Sequence, residues 1–508
     1  MKKILLLLLL PFALFGSDAS IKSLYSSLDP YSLTQHMAFY ELYPETTEGK
    51  KSIDHAWSLL RAGNKTAKLP RFLLPKFDID AIVSLITRQP FDAPVKLSKE
   101  HLDAIDSLSS RFANRKLKGS TIWSKEEVLV LPPEEIDLGR GLLIEQFEDS
   151  KNFKDDILQY EASLDLMALQ ILARLPENAT HFDKIKEINR YIFQEMQFRF
   201  PPHSLYAKDI DVYTFLPSVL DSRQGVCLGV SILYLCLAQR LDLPLEIITP
   251  PGHIYVRYND GENILNIETT ARGINPPSEM YLGINTRKLE ERNMKEVIGM
   301  AFFNQASVHW QRMEHDICVK LYEKALPYMA DDRLLHMFLG LNYLFVGRKA
   351  EGEKLLKPLK NYTFDYAVAP DTLATDYLNG HIDPEGIEAI FMPVDETRES
   401  IMGKQAELKK LLKHHPKFRG GILQLAVTYL QLARAGEARE ILTRYHKVDP
   451  NDPTVEYYLS IVSAERHDFN QSWKYLQNAE AITAARDHNP IALRGLRNKL
   501  RTICPEPN

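Results

Sequence analysis

An α+β domain joined to an array of α-helical repeats is the fold this sequence predicts, and three observations carry it. Apolar residues recur at helical spacing through 158–174, 181–197 and 226–241. Alternating strand patterns then flank Asp260–Gly261 across 254–270. Beyond about residue 300 the pattern is helical, with an internal period of 34 residues. Helices first and strands after argue for a small antiparallel sheet packed on the helix that opens at Cys227.

At 508 residues, with 45% hydrophobic and 25% charged side chains, the chain is long enough for several domains with real cores. A net charge of −5 gives no reason to expect nucleic acid as a partner. Lys2 and Lys3 precede an apolar run, Ile4 to Phe15, and then Gly16, Ser17, Asp18 and Ala19. That order is the one of a secretory signal peptide over residues 1–19. The run is about 12 residues against the roughly 20 needed to span a bilayer, so the expectation is a bacterial protein exported to the periplasm or beyond. No later run is long enough to cross a membrane.

Residues 20–155 are read as a mostly helical accessory domain broken by Pro70, Pro75, Pro90, Pro94, Pro132 and Pro133. Leu102, Ile105, Leu108 and Phe112 give 99–112 an amphipathic face, with only half a cap from Ser98 and His101. Val128–Leu129–Val130–Leu131 has the composition of a strand. The α+β domain follows over 156–300, a helical repeat over 301–360, an insertion over 361–400 and further repeats over 401–500.

The chemistry concentrates in 223–268. Cys227 follows the Arg223–Gln224–Gly225 turn and opens an apolar helix, where the helix dipole favours a thiolate. His253 follows Pro250–Pro251–Gly252 and precedes an alternating strand. With Asp260–Gly261 as a two-residue hairpin loop, Asn259 faces Glu262 and His253 faces Glu268. A four-residue loop centred at the same place gives the same pairing. Directly opposed side chains have Cβ atoms roughly 4.5–5.5 Å apart, close enough for a carboxylate to orient an imidazole. Gln224 and Gly225 stand where they could support an oxyanion, and Gln224 could equally cap the helix.

These residues resemble the transglutaminase-like superfamily, a circularly rearranged relative of papain. Its members carry an R-x-G-x-C opening on the catalytic helix, matched here by Arg223, Gly225 and Cys227, then a His and an Asp on adjacent strands. The matching positions are His253 and Glu268, with Glu in place of the usual Asp. The run LYLCLAQRLDLPLEIITPPGH, ending at His253, is similar to the bacterial SirB-type branch, in which tetratricopeptide-like helices follow the core. The resemblance covers about 160–290 and implies thiol acyl-transfer chemistry of the protease, amidase, deamidase or transglutaminase kind, with no cofactor.

Cys227, Cys236, Cys318 and Cys504 do not make a disulfide framework in a chain this long. Cys227 and Cys236 are about 13.5 Å apart along one helix at 1.5 Å per residue, too far to bridge, and Cys236 reads as a core thiol. His414–His415 lacks companions at metal-ligand spacing and sits at the end of a lysine-rich helix. No HExxH, paired CxxC or glycine-rich phosphate loop is present.

Among the repeats, Leu425, Ala426, Ala438 and Leu442 return as Leu459, Ser460, Ser472 and Leu476. An earlier unit carries Leu339, Gly340, Tyr343, Gly352 and Leu356, out of phase because of the insertion, whose Ile382–Thr397 reads as loop. Tetratricopeptide-like units of this kind imply a protein or peptide partner. Two functions therefore compete: an exported cysteine-dependent acyl-transfer enzyme using Cys227, His253 and Glu268 on a protein or peptide substrate, and a non-catalytic interaction scaffold. The first expects the residues after about 400 to serve recognition more than the reactivity of Cys227.

Overall fold

The computed structural model describes residues 18–60, 84–85, 90, 95–201, 214–395 and 397–506. Most of the leader expected over 1–19 lies outside them. The described chain forms two compact units. One runs to Phe200 and adds Phe215–Gly225 and Gly229–Leu245, so residues read as accessory and the helices after 155 share a unit. The other takes Thr214, Val226–Leu228 and the chain from Glu246 onward.

The first unit is helical. It contains α1 (Asp18–Ser26), α2 (Leu33–Leu42), α3 (Thr47–Leu60), α4 (Lys99–Ser109), α5 (Lys125–Val130), α6 (Leu138–Phe147), α7 (Phe153–Arg174), α8 (His181–Asn189) and α9 (Leu216–Ser222). Helix α8 runs on as a π-helical turn, Arg190–Glu195. The start of α4 carries a full capping box: Ser98 Oγ accepts from the His101 N–H, and His101 Nδ1 accepts from the Ser98 N–H at 3.1 Å. Histidine supplies the acceptor that glutamate usually provides, so the half cap expected from sequence is complete. Val128–Val130 is helical, not a strand, because Ser124 and Glu127 form a second capping box that starts α5.

Helix α10 (Cys227–Arg240) begins in one unit and continues in the other. It is apolar around its circumference, and Val230, Ile232, Leu233, Tyr234, Leu235 and Leu237 are buried, the pattern of a helix inside a core. Its C-terminal end is fixed by charge. Arg240 Nε donates to Asp165 Oδ1 at 2.7 Å, and Arg115 donates to the other oxygen at 2.5 Å. Two cations on one buried carboxylate satisfy it on both oxygens, so losing either arginine would leave one buried oxygen without its charged donor. Arg140 and Glu161 make a second buried pair, bidentate at 2.6 and 2.5 Å. Cys236 is fully buried on this helix, and burial pushes its thiol up to about 12.

The second unit opens with an antiparallel sheet in the order β3-β2-β1-β4, formed by β1 (Glu246–Thr249), β2 (Tyr255–Asn259), β3 (Ile264–Ile267) and β4 (Glu290–Arg292). Paired helices follow: α11 (Met294–Gln311) with α12 (His315–Ala325), and α13 (Arg333–Phe345) with α14 (Lys349–Leu356). The insertion contributes α15 (Leu373–Leu378) and α16 (Pro384–Phe391), so part of the expected loop is a helix, started by the Asp383 cap and Pro384 at its first position. Then come α17 (Arg398–His414), α18 (Arg419–Gln431), α19 (Ala435–Val448), α20 (Pro453–Glu465), α21 (Phe469–Ala484) and α22 (Ile491–Ile503).

The 34-residue period is visible in the backbone. Turn residues Met313 and Gly347, and again Ala433 and His467, all lie in the left-handed region, with φ between 56° and 80°. A small residue stands where each pair of helices crosses. Gly340 faces Gly352, where a Cβ would come within 2.6 Å of the Gly340 carbonyl. Ala426 and Ala438 are fully buried in the next pair in register. Ser460 and Ser472 exchange hydroxyl-to-carbonyl bonds at 2.9 and 2.8 Å. Ala306 and Cys318 take the same places one repeat before Gly340 and Gly352, with the thiol donating to the Ala306 carbonyl at 3.3 Å. That unit escaped the sequence reading because Ala and Cys share no obvious type with Gly and Gly.

Candidate active site

Helix α9 ends at Arg223 in the left-handed conformation, φ 52°. The chain then passes beside Arg199, whose carbonyl accepts the Gly225 N–H at 3.1 Å, while Ser222 Oγ accepts the Gln224 N–H at 3.1 Å. Both amides are engaged in shaping the turn. Gln224 is buried, and a Cβ on Gly225 would lie 2.6 Å from Val230 Cγ2. Glycine is therefore required where the turn meets the first turn of α10, and this contact sets where Cys227 emerges. Cys227 is half-buried at the first position of the helix, where N–H groups have no acceptor within the helix itself.

His253 reaches the same place from the sheet. Its N–H donates to the Pro250 carbonyl at 3.0 Å across a turn that needs Gly252 at φ 74°. The imidazole Nε2 lies 2.6 Å from Glu268 Oε2, and the Cys227 side chain is close enough to the ring to favour its charged form. With Nε2 engaged, Nδ1 is the nitrogen left for the sulfur. Burial disfavours a charged imidazole, but the pull of Cys227 and Glu268 outweighs it and raises His253 to about 9.

Glu268 has left the strand and begins a 3-10 turn, Thr269–Ala271. Burial would raise its carboxyl, yet bonds from His253, Thr270 and Tyr281 hold it down to about 2. Thr270 Oγ1 donates to Oε1 at 2.6 Å, and the Tyr281 hydroxyl donates to Oε2 at 2.5 Å. Thr269 Oγ1 donates to the Cys227 carbonyl at 3.4 Å, which ties this turn back to the thiol.

The hairpin register differs from the expected one. Asn259 pairs with Ile264 and Val256 with Ile267, so the loop is Asp260–Asn263. Asp260 causes this: its Oδ1 accepts from the Glu262 and Asn263 N–H groups at 3.0 and 2.7 Å, building a four-residue turn. His253 and Glu268 are thus not directly opposed. They still meet because a slip of two residues keeps every side chain on its face, and because both lie just beyond the strand ends.

Sequence reasoning missed Tyr281 and Thr270, which lie in irregular segments without period or motif. Asn266, two residues before Glu268 and so on the same face of the strand, has a part of its own. It is buried and secures the loop that carries Tyr281, donating to the Pro276 carbonyl at 2.8 Å and to Ser278 Oγ at 2.9 Å. A separate cavity of about 350 Å³ in the first unit, walled by Tyr160, Gln170, Tyr191 and Asp221, contains none of the three site residues.

A sequence model of the transglutaminase-like superfamily matches residues 158–287, which include Cys227, His253, Glu268 and Tyr281. Residues 158–287 are a transglutaminase-like domain. A UPF0162 protein of Xylella fastidiosa (strain Temecula1) is 24% identical over 215 residues, 39% of this chain and 73% of that protein. Among solved structures, TTC0263, a thermophilic TPR protein of Thermus thermophilus, is 14% identical over 40% of this chain and 97% of its own, with a TM-score of 0.20. A crystal structure of MamA is 12% identical over 36% and 96%, with a TM-score of 0.20. Within the transglutaminase-like domain the thiol, imidazole and carboxylate are contiguous. Among the described residues no group of three His, Cys, Asp or Glu side chains is arranged to hold a metal ion.

Proposed function

We propose that the chain is a cysteine-dependent acyl-transfer enzyme acting on a carboxamide or peptide bond. The observation that carries this reading is the single imidazole bonded to Glu268, with Cys227 close enough to act on its charge. The Cys227 sulfur attacks the carbonyl carbon, and the first-turn N–H groups of α10 stabilise the oxyanion. The carbon–nitrogen bond then breaks, and His253 gives the leaving amine its proton. The thioester is resolved by water or an amine, which loses its proton to His253 as the carbon–sulfur bond breaks. Glu268 keeps the ring in one orientation and one tautomer. Water is the simpler acceptor.

The helical repeats supply a surface for a protein substrate or partner, and the leader-like composition of 1–19 supports an exported site of action. The test is labelling of the full chain with an electrophilic activity-based probe, beside Cys227→Ala, followed by identification of trapped acyl substrates. Labelling at Cys227 below pH 8 and its loss in the variant are expected. A Cys227 inert to the probe would favour the scaffold function.

A further inference from the structure

We propose that Tyr281 is a positioning residue for the carboxylate–imidazole pair, and that the C-terminal helices hold it in place. The inference rests on the thiol-site reading and extends it to residues outside the motif.

Three observations converge. The Tyr281 hydroxyl donates to the same oxygen, Glu268 Oε2, that meets His253 Nε2. The Tyr281 ring stacks on the His253 ring, centroids 5.7 Å apart with planes 22° from parallel, and on Tyr255 at 4.8 Å. One side chain thus restrains both members of the pair, one by hydrogen bond and one by ring contact. The third observation is where the loop is held. Ile284 is buried among Trp473, Leu476, Leu493, Leu496 and Leu500 of α21 and α22. His488 Nε2 lies 2.8 Å from the Gly283 carbonyl. Farther along, the Arg287 N–H donates to the Tyr366 carbonyl and the Val368 N–H to the Asn285 carbonyl. The repeats are therefore a wall of the loop that positions Glu268.

The titratable groups facing the pair are Cys227, Tyr281 and Tyr255, with Arg257 and Glu246 acting on Tyr255 from beyond. Without the Tyr281 hydroxyl, water reaches Glu268 and screens its hold on the imidazolium, so His253 should lose its proton at lower pH.

The experiment is an NMR titration of the His253 imidazole in the full-length protein, with the iodoacetamide rate at Cys227 measured across the same pH range. The variants are wild type, Tyr281→Phe, Ile284→Ala and His488→Ala, each checked by thermal melting. We expect a wild-type midpoint near 9, lower by about one unit in Tyr281→Phe, a shift equivalent to about tenfold in the proton equilibrium. Smaller shifts in the same direction are expected in the two C-terminal variants. A wild-type midpoint near 9 that Tyr281→Phe leaves unmoved overturns the role of Tyr281 while the thiol site stands. A shift in Tyr281→Phe alone, with both C-terminal variants folded and unshifted, overturns the part given to the repeats. A wild-type midpoint near 6.5 with an unreactive Cys227 defeats the thiol-site reading itself.

Discussion

Glu268 illustrates how one residue's environment decides its chemistry. Its carboxyl collects donors from an imidazole, a threonine and a tyrosine, and so stays ionised far into acid. Glu268→Gln keeps the shape but cannot support an imidazolium, and turnover should fall about 10²–10⁴-fold with little change in fold. The pair also predicts a pH signature in stability. His253, raised from 6.5 to about 9, adds stability that is complete below 6.5 and lost as pH rises through 9. Glu268, lowered from 4.5 to about 2, adds stability that is complete above 4.5 and lost as pH falls through 2. The gap in melting temperature between wild type and Glu268→Gln should therefore be widest between about pH 4.5 and 6.5. A gap that does not narrow toward pH 9 would mean the two groups are not coupled in this way.

At the scale of elements, the turn before α10 and the repeat crossings make separate predictions. Gly225→Ala forces a Cβ against Val230 Cγ2 and the Val230 backbone nitrogen. A branched side chain and a helical backbone yield little, so a loss of about 1–3 kcal/mol is expected, together with slower alkylation of Cys227. Denaturant unfolding and iodoacetamide kinetics check the two parts. In the repeats, Ser472→Ala alone leaves the buried Ser460 carbonyl without its hydroxyl donor and should cost about 1–2 kcal/mol. Replacing Ser460 and Ser472 together by Ala reproduces the Ala426–Ala438 crossing one repeat earlier and should come close to neutral. Urea unfolding of the two single variants and the double one would show this as a favourable coupling between the alanines.

At the scale of the whole chain, the structure changes the expected consequence of truncation. The sequence alone predicts that a chain ending near residue 400 keeps the reactivity of Cys227 and loses recognition. Yet α21 and α22 bury Ile284, and His488 in the connection between them reaches the carbonyl of Gly283, two residues past Tyr281. Truncation should therefore expose apolar surface and loosen the site together, giving less soluble protein and weaker labelling of Cys227. A soluble truncated protein labelled as fast as wild type would refute that coupling.

The sequence by itself determined what is local and periodic. Gly225 before Cys227, Pro-Gly before His253 and alternating strands around Asp260 specify the positions of the three side chains through short-range geometry. A 34-residue recurrence of small and large apolar residues does the same for the repeats, because each pair of helices needs the same crossing. Parity alone carried the pairing of His253 with Glu268 through a register two residues away from the expected one. Only the tertiary structure decided which residues complete the site. Asp260 chose the longer turn through its side-chain bonds to Glu262 and Asn263. Tyr281 arrives on an irregular loop whose course is set by Asn266 at one end and by helices near the end of the chain at the other. Such contacts depend on burial between distant segments, which leaves no period and no motif in the chain.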